Sequence, residues 1–432
     1  MIRRISFNEK SIMFLILICP IVPRSLHIFG YSACNILILT IAMILIILEK
    51  KIQYPKIVNS FIPLLYLTTT SLCYLIHLDI NPLLWFYTGT IILICLVYKG
   101  IKNEYLFFII IDILIYTMGF VGILGIAETF TGFNIFDMIS RTYHPLEGAN
   151  GIRFGLIRSH GPFTTSINNS IYLGMGASLI LYRISTKPKR IFTYIITYVI
   201  VITNCLLTIS RAPIVAMIIS QIIISIRCGV FKNPVKFITI TGSIGIIASL
   251  IEVMHLFSIT GAVRIMYYMV MAVFNEDYVL RIPSEYDMQK IGGVGDRRNL
   301  YSYILEDIKN KECFGLGSNA QFMKVINQYR TKTSLENFYL NILYHYGYLG
   351  LIATVLLIVG IIIYTIKRMR YKQNANFENK LSFNFLFFII TLTYFATLFT
   401  VNALDEQRTY CILIALLIAY NNYFAKKLKN IV

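Results

Sequence analysis

The chain has 432 residues, of which 57% are hydrophobic and 14% charged, with a formal charge of +18. A soluble globular chain carries about 25% charged residues, so an ordinary soluble enzyme, a disordered chain and a one-helix anchor on a soluble domain are all excluded. The basic excess is no nucleic-acid footprint either, because it sits in short connections between apolar runs and not on one polar face.

The apolar runs are continuous rather than alternating, which argues against a porin-type barrel and for helices. In chain order the windows are 11–28, 31–48, 57–78, 81–98, 104–126, 166–183, 191–209, 211–227, 235–253, 338–366, 381–401 and 409–425. With roughly 20 residues per span, they predict an all-α polytopic protein of about twelve transmembrane helices, one integral membrane domain over residues 1–432. Pro20 and Pro23 break the first window, and the run after Met1-Ile2-Arg3-Arg4 lacks a small-residue cleavage site, so it reads as an uncleaved first helix. Alternate connections carry the basic residues: Lys50, Lys51 and Lys56, then Lys99 and Lys102, then Arg183 to Arg190, then Arg227 to Lys236, then Lys367 to Lys380. The positive-inside rule places both termini on that side, the cytoplasm.

Two outer connections are long, 127–165 and 254–337. The second has room for a helical cap: Leu300, Ile304 and Ile308 recur at i, i+4 and i+8, with Asp296 as N-cap and Gly315 as a stop. All cysteines but Cys313 fall in or beside apolar runs with no metal spacing; a bridge from Cys313 to a helix end such as Cys34 stays open.

The outer connections hold the candidate site residues. Arg211 stands between two apolar runs with almost no loop, and Pro213 suits the first turn of the next helix. A guanidinium there, beside a helix N-terminus, either clamps a phosphate or pairs with lipid. The first loop offers Arg153, Arg158 and His160, followed by a polar helix start with Thr165 or Ser166 as cap and Asn168 and Asn169 as candidates for sugar hydroxyls. In the second loop, Arg297 and Arg298 precede the cap helix; one of them can reach a ligand while the other pairs with an acid. Asn337, Asn341 and His345 form a polar stripe on an apolar helix, which must face other helices or a wet cavity. Glu336 at its mouth is either the end of a Thr333-x-x-Glu336 capping box or a general base.

Four segments together resemble the O-antigen polymerase and O-antigen ligase superfamily of bacterial inner-membrane glycosyltransferases. They are Arg158 to Phe163 running into Asn169, Ser210-Arg211, Arg298 through Gly315-x-Gly317, and Glu336-Asn337-Phe338-Tyr339-Leu340 followed by Gly347 and Gly350. The ligases carry His-Asn where this chain has Glu336-Asn337, so the resemblance is closer to a repeat-unit polymerase of lipopolysaccharide or related surface polysaccharide.

That resemblance implies a location in the inner membrane with the site on the periplasmic side. It implies donor and acceptor glycans linked by diphosphate to a C55 polyprenyl lipid, undecaprenyl, and a chain-length regulator as partner protein. Arg211 and Arg298 would stabilise the leaving diphosphate, with Arg158 third; Asn169 and Asn337 would hold the acceptor, and Glu336 would take its proton, with inversion at C1. No cofactor is implied, and no metal: the stretch from Arg24 to Gly30 lacks Asp and Glu, leaving only Glu285-x-Asp287, which reads as solvated surface. The rivals are a ligase acting on lipid A core and, in another class, a repeat-unit transporter, which needs charges at mid-membrane depth where only Asp112 lies.

Overall fold

Backbone amides in a lipid phase must bond within their own segment, and helices accordingly dominate the computed structural model. It describes residues 6–23, 25–28, 31–49, 61–140, 152–153, 156–186, 190–228, 300–327, 330–332, 335, 337–373, 382–401 and 407–429. The first helix, α1, is Phe7–Ile18, closed at its start by a reciprocal Ser6–Glu9 capping box. The small antiparallel pair β1 (His27–Ile28) and β2 (Tyr31–Ser32) leads to α2, Ala33–Glu49. Next come α3 (Phe61–Ile76), α4 (Ile80–Gly100, with a π turn at Thr88–Ile92), α5 (Glu104–Thr131) and the short α6 (Ile135–Ser140). Strands β3 (Ile152–Arg153) and β4 (Leu156–Ile157) precede α7 (Ser166–Ser185), α8 (Ile191–Leu207) and α9 (Arg211–Arg227). The late part holds α10 (Leu300–Asp307), β5 (Lys324–Asn327), β6 (Arg330–Lys332), α11 (Phe338–Gln373), α12 (Phe383–Thr397) and α13 (Gln407–Lys429).

A helix stands in every apolar window of the sequence except 235–253, which lies outside the described residues. Among the described residues, four helices are long and apolar enough to cross a membrane: Ile80–Gly100, Glu104–Thr131, Phe338–Met369 and Phe383–Thr400. Ala33–Leu48, Phe61–Ile76, Ile191–Leu207 and Ala212–Arg227 are shorter apolar helices. The chain is a helical membrane protein. Two window boundaries differ from expectation. Helix α1 stops at Ile18, before Pro20, and α5 continues past residue 126 to Thr131, which draws Glu128 out of the expected loop and into the helix.

Helix α7 is the central post, packed against α5, α8, α9 and α12, while α13 lies on α4 and α5. Where α5, α7, α12 and α13 meet, Phe107, Tyr182, Phe383 and Tyr420 pack ring against ring. Asp112, the acid expected deep in a span, is gripped by Arg183, with Nε–Oδ1 at 2.6 Å and Nη2–Oδ2 at 3.1 Å. The two-point geometry answers the cost of an ionised group in this setting, and it leaves Asp112 engaged rather than presented to a translocation path.

The amphipathic helix α10 lies on the bundle as its spacing predicts: Leu300, Ile304 and Ile308 are buried against Phe322, Leu335, Leu343 and Tyr344. What anchors this cap is a break in α11. Gly347 has φ 63° and ψ −166°, non-helical angles in mid-helix, a region open essentially to glycine alone. The break frees carbonyls on one side and amides on the other, and the segment 312–317 fills both. Leu316 N donates to Tyr344 O (3.0 Å) and Gly317 N to His345 O (2.9 Å), while Tyr348 N and Leu349 N donate to Glu312 O and Cys313 O (2.8 and 3.2 Å). A Cβ on Gly315 would lie 2.6 Å from the His345 carbonyl carbon, and one on Gly347 would collide with the Glu312 and Cys313 backbone. Gly315 and Gly347 are thus two halves of one joint. Asp79 completes it, accepting from Ser318 N and Oγ (both 2.7 Å) and Asn319 Nδ2 (2.6 Å).

Gly347→Ala is therefore expected to cost about 1–3 kcal/mol in backbone strain alone and to lower the thermal unfolding midpoint in detergent. Gly174→Ala is the control, because its added Cβ would meet Met217 at an ordinary 3.6 Å; equal midpoints for both variants would refute the joint.

Candidate functional site

Helices α8 and α9 are joined by only Thr208, Ile209 and Ser210. So short a turn forces Ile209 to φ 49°, the left-handed region that a β-branched residue avoids at a cost of about 1–2 kcal/mol. Ser210 is extended (φ −100°, ψ 99°) and makes no side-chain cap to α9. Its hydroxyl has another partner. Arg158, 1% exposed, drives its guanidinium into the junction, donating from Nη2 to Ser210 Oγ and from Nε to Thr208 O, both at 2.8 Å. The segment before α7 is thereby tied to the residue immediately before Arg211, which opens α9. The Arg211 side chain lies outside the described residues; its backbone places it at a helix N-terminus, where amide dipoles favour anions.

A second tie holds the same segment from the other side. Glu128, in the last turn of α5 and 3% exposed, accepts from His160 N (3.2 Å), Gly161 N (3.0 Å) and Ser159 Oγ (3.4 Å). The His160 ring lies between two acids, Nε2 at 3.2 Å from Asp137 Oδ2 and 3.4 Å from Glu128 Oε1, while Nδ1 meets the Phe163 carbonyl at 2.9 Å. Burial opposes the imidazolium charge, but the hydrogen bond to Asp137, the charges of Glu128 and Asp137 and the Phe163 carbonyl outweigh it and hold the pKa above the ordinary imidazole value. Asn134 adds a donor to the Gly161 carbonyl at 3.0 Å.

Asn169, expected to meet sugar hydroxyls, is fully buried and donates from Nδ2 to Ser159 Oγ (3.0 Å) and O (3.3 Å). Its Oδ1, and both polar atoms of buried Asn168 and Asn204, have no hydrogen-bond partner among the described residues. Asn204 and Ser159 crowd Gly125, where any Cβ would collide with both. Orphan amides of this kind cost about 1–3 kcal/mol each unless hydrated, so this polar seam in the bundle calls for internal water.

The remaining candidates fall elsewhere. Asn337 caps α11, its Oδ1 accepting from Tyr339 N (2.9 Å) and Leu340 N (3.1 Å). Asn341 is half-buried one turn on. His345 sits at the α11 break, its Nδ1 2.7 Å from the Gly317 carbonyl. Glu336, Arg297 and Arg298 lie outside the described residues, as do Glu285 and Asp287. The structure thus brings Arg158, His160 and Asn169 together beside Arg211, and it adds residues the sequence reading passed over: Glu128, Asp137, Asn134 and Asn204. Glu128 carried one readable signal, as an acid closing an otherwise apolar run. No family model matches the chain, and no curated protein matches it.

Hydrogen bonds to a charged group are worth about 1.5–3 kcal/mol, so Arg158→Met is expected to lower the unfolding midpoint by several degrees in detergent. Arg158→Lys should recover only part of it, because an ammonium cannot present the two nitrogens of the guanidinium fork; full recovery would contradict the two-point grip. The His160 tie also has a sign in pH. A raised folded-state pKa contributes stability that is complete below the unfolded value, about 6.5, and is lost as pH rises through the folded value. The midpoint of the native protein should fall as the pH is raised above neutral, and His160→Gln should flatten that slope. A slope unchanged in the variant would remove the charged tie.

Proposed function

We propose that this protein is an inner-membrane glycosyltransferase that polymerises polyprenyl-diphosphate-linked oligosaccharide repeat units into O-antigen or a related surface polysaccharide. The observation that carries the reading is the Arg158–Ser210 hydrogen bond. It joins two of the segments in which the sequence resembles the polymerase and ligase superfamily, and it does so at a helix N-terminus that begins with Arg211. An electropositive corner of this make-up suits the part of the reaction where charge grows.

As the donor's C1–O bond breaks, negative charge develops on the departing lipid diphosphate, and preplaced guanidinium groups stabilise it more in the transition state than in the ground state. Arg211 is the residue for this role, with Arg298 from the late loop as its partner. Arg158 is a positioning residue: its own nitrogens are engaged by Thr208 and Ser210, and it sets the junction from which Arg211 projects. An acceptor hydroxyl attacks from the opposite face, with Glu336 taking its proton and Asn337 at the adjoining helix start; the product is inverted at C1. No step in this scheme calls for a metal. The twelve-span topology, cytoplasmic termini and periplasmic site belong to the same proposal, supported by the alternation of basic connections.

The test uses purified protein in lipid nanodiscs with diphosphate-linked repeat units. A ladder of products is expected, absent in Arg211→Ala and Arg211→Lys although both variants remain in the membrane. Single addition onto lipid A core would make the protein a ligase. Transbilayer movement of the donor without any new glycosidic bond would make it a transporter.

A further inference from the structure

Cysteine thiols in a membrane bundle are ordinarily small apolar fillers, and Cys73, Cys95 and Cys411 are buried in that manner. Cys19 and Cys34 differ. Their sulfurs stand 3.2 Å apart, and the two residues are 2% and 0% exposed. No other pair of cysteines is this close among the described residues. The bridge left open between Cys34 and Cys313 is not the one the fold favours, since Cys313 is exposed and Cys34 faces Cys19.

The local backbone explains the approach. Helix α1 ends at Ile18, and Cys19 N still bonds to Leu15 O at 2.8 Å, so Cys19 remains in helical register as the chain meets Pro20. The turn is folded back by Ile21 N and Val22 N onto Ile18 O, the β1–β2 hairpin reverses the chain, and Ala33 N bonds Leu26 O at 2.9 Å to start α2. Cys34 is the second residue of α2 and so lies against the end of α1. From the far end of the sequence Arg408 fixes this corner, donating to Ser32 Oγ (3.0 Å) and Asn35 Oδ1 (3.1 Å). Those polar partners mark the corner as the edge of the bundle, where the chain emerges from apolar surroundings.

We propose that Cys19 and Cys34 form a disulfide that staples the first two helices at this edge. The sulfurs need to close from 3.2 Å to the bond length of about 2.05 Å, a shift within the reach of side-chain torsions. The oxidant is a thiol–disulfide exchange partner, a protein or small-molecule disulfide in an oxidising compartment. The thiolate of one cysteine attacks a sulfur of that disulfide, forming a mixed disulfide and releasing one thiol. The second cysteine then attacks the mixed disulfide, forming the Cys19–Cys34 bond and releasing the other thiol. Two protons leave the cysteines, and the electron pair ends on the reduced partner. The reaction belongs to assembly, before the two thiols are sealed in. It is independent of the glycosyltransferase reading.

The experiment is a thiol count on the full-length protein purified without reductant. Free thiols are blocked with N-ethylmaleimide in denaturant, disulfides are then reduced, and the newly freed thiols are tagged with a maleimide-polyethylene glycol. Two tags are expected on the native sequence and on Cys313→Ser, and none on Cys19→Ser or Cys34→Ser; because the count is made on denatured chain, it does not depend on how well a variant folds. A native protein that takes no tag after reduction overturns the proposal, as does a tag count that vanishes in Cys313→Ser and survives in Cys19→Ser.

Discussion

An arginine sealed inside an apolar bundle must find oxygen atoms, and Arg158 finds them at the one place where two helices are joined by a three-residue turn. The Thr208 carbonyl and the Ser210 hydroxyl receive it at 2.8 Å each. The consequences run outward from there. Ser210 cannot also cap α9, so the first amides of that helix keep their exposed polarity. Ile209 is held in a left-handed conformation that a free turn would relax. The segment 158–163 is fixed on one face by this grip and on the other by Glu128, which gathers Ser159, His160 and Gly161. A buried cation thus organises the end of α5, the start of α7 and the α8–α9 junction as one rigid unit. Breaking it would leave either an unpaired charge or unpaired carbonyls, and both are costly.

The late cap uses a different device. Rather than side-chain charge it uses backbone: a helix interrupted at Gly347 offers its carbonyls and amides to an incoming loop, which answers with its own. Non-helical backbone inside a membrane helix is tolerated where something re-satisfies it, and here the segment 312–317 does so. The stripe of Asn337, Asn341 and His345 is partly accounted for by this architecture, since Asn337 starts the helix and His345 holds the joint.

Much of the fold was legible because span-length apolar runs admit few alternatives. Leu300, Ile304 and Ile308 announced the cap helix by spacing alone, and Thr165 its role at the start of α7. The site was harder to read. The sequence marked Arg158 and Arg211 separately, but nothing local reveals that one guanidinium bonds to the neighbour of the other across a separation of 52 residues. Glu128 was hidden by a boundary error: Ala127 to Thr129 look polar enough to end a helix, whereas packing carries the helix to Thr131. Gly315 and Gly347 each looked like ordinary turn or packing glycines; their meaning is the contact between them. Cys19 and Cys34 were masked by reading 11–28 as one span, although Pro20 and Pro23 were in plain view.

The enzymatic reading rests on the corner formed by the α8–α9 junction being an anion site for a prenyl diphosphate. Its most direct measurement is the affinity of the purified protein for a prenyl diphosphate and for the matching prenyl alcohol, in the native sequence, Arg211→Ala and Arg158→Lys. The account predicts a strong preference for the diphosphate that falls at least about tenfold, or 1.4 kcal/mol, in both variants, with alcohol binding unchanged. Equal affinity for diphosphate and alcohol in the native protein, or a diphosphate affinity that both variants retain, would contradict it.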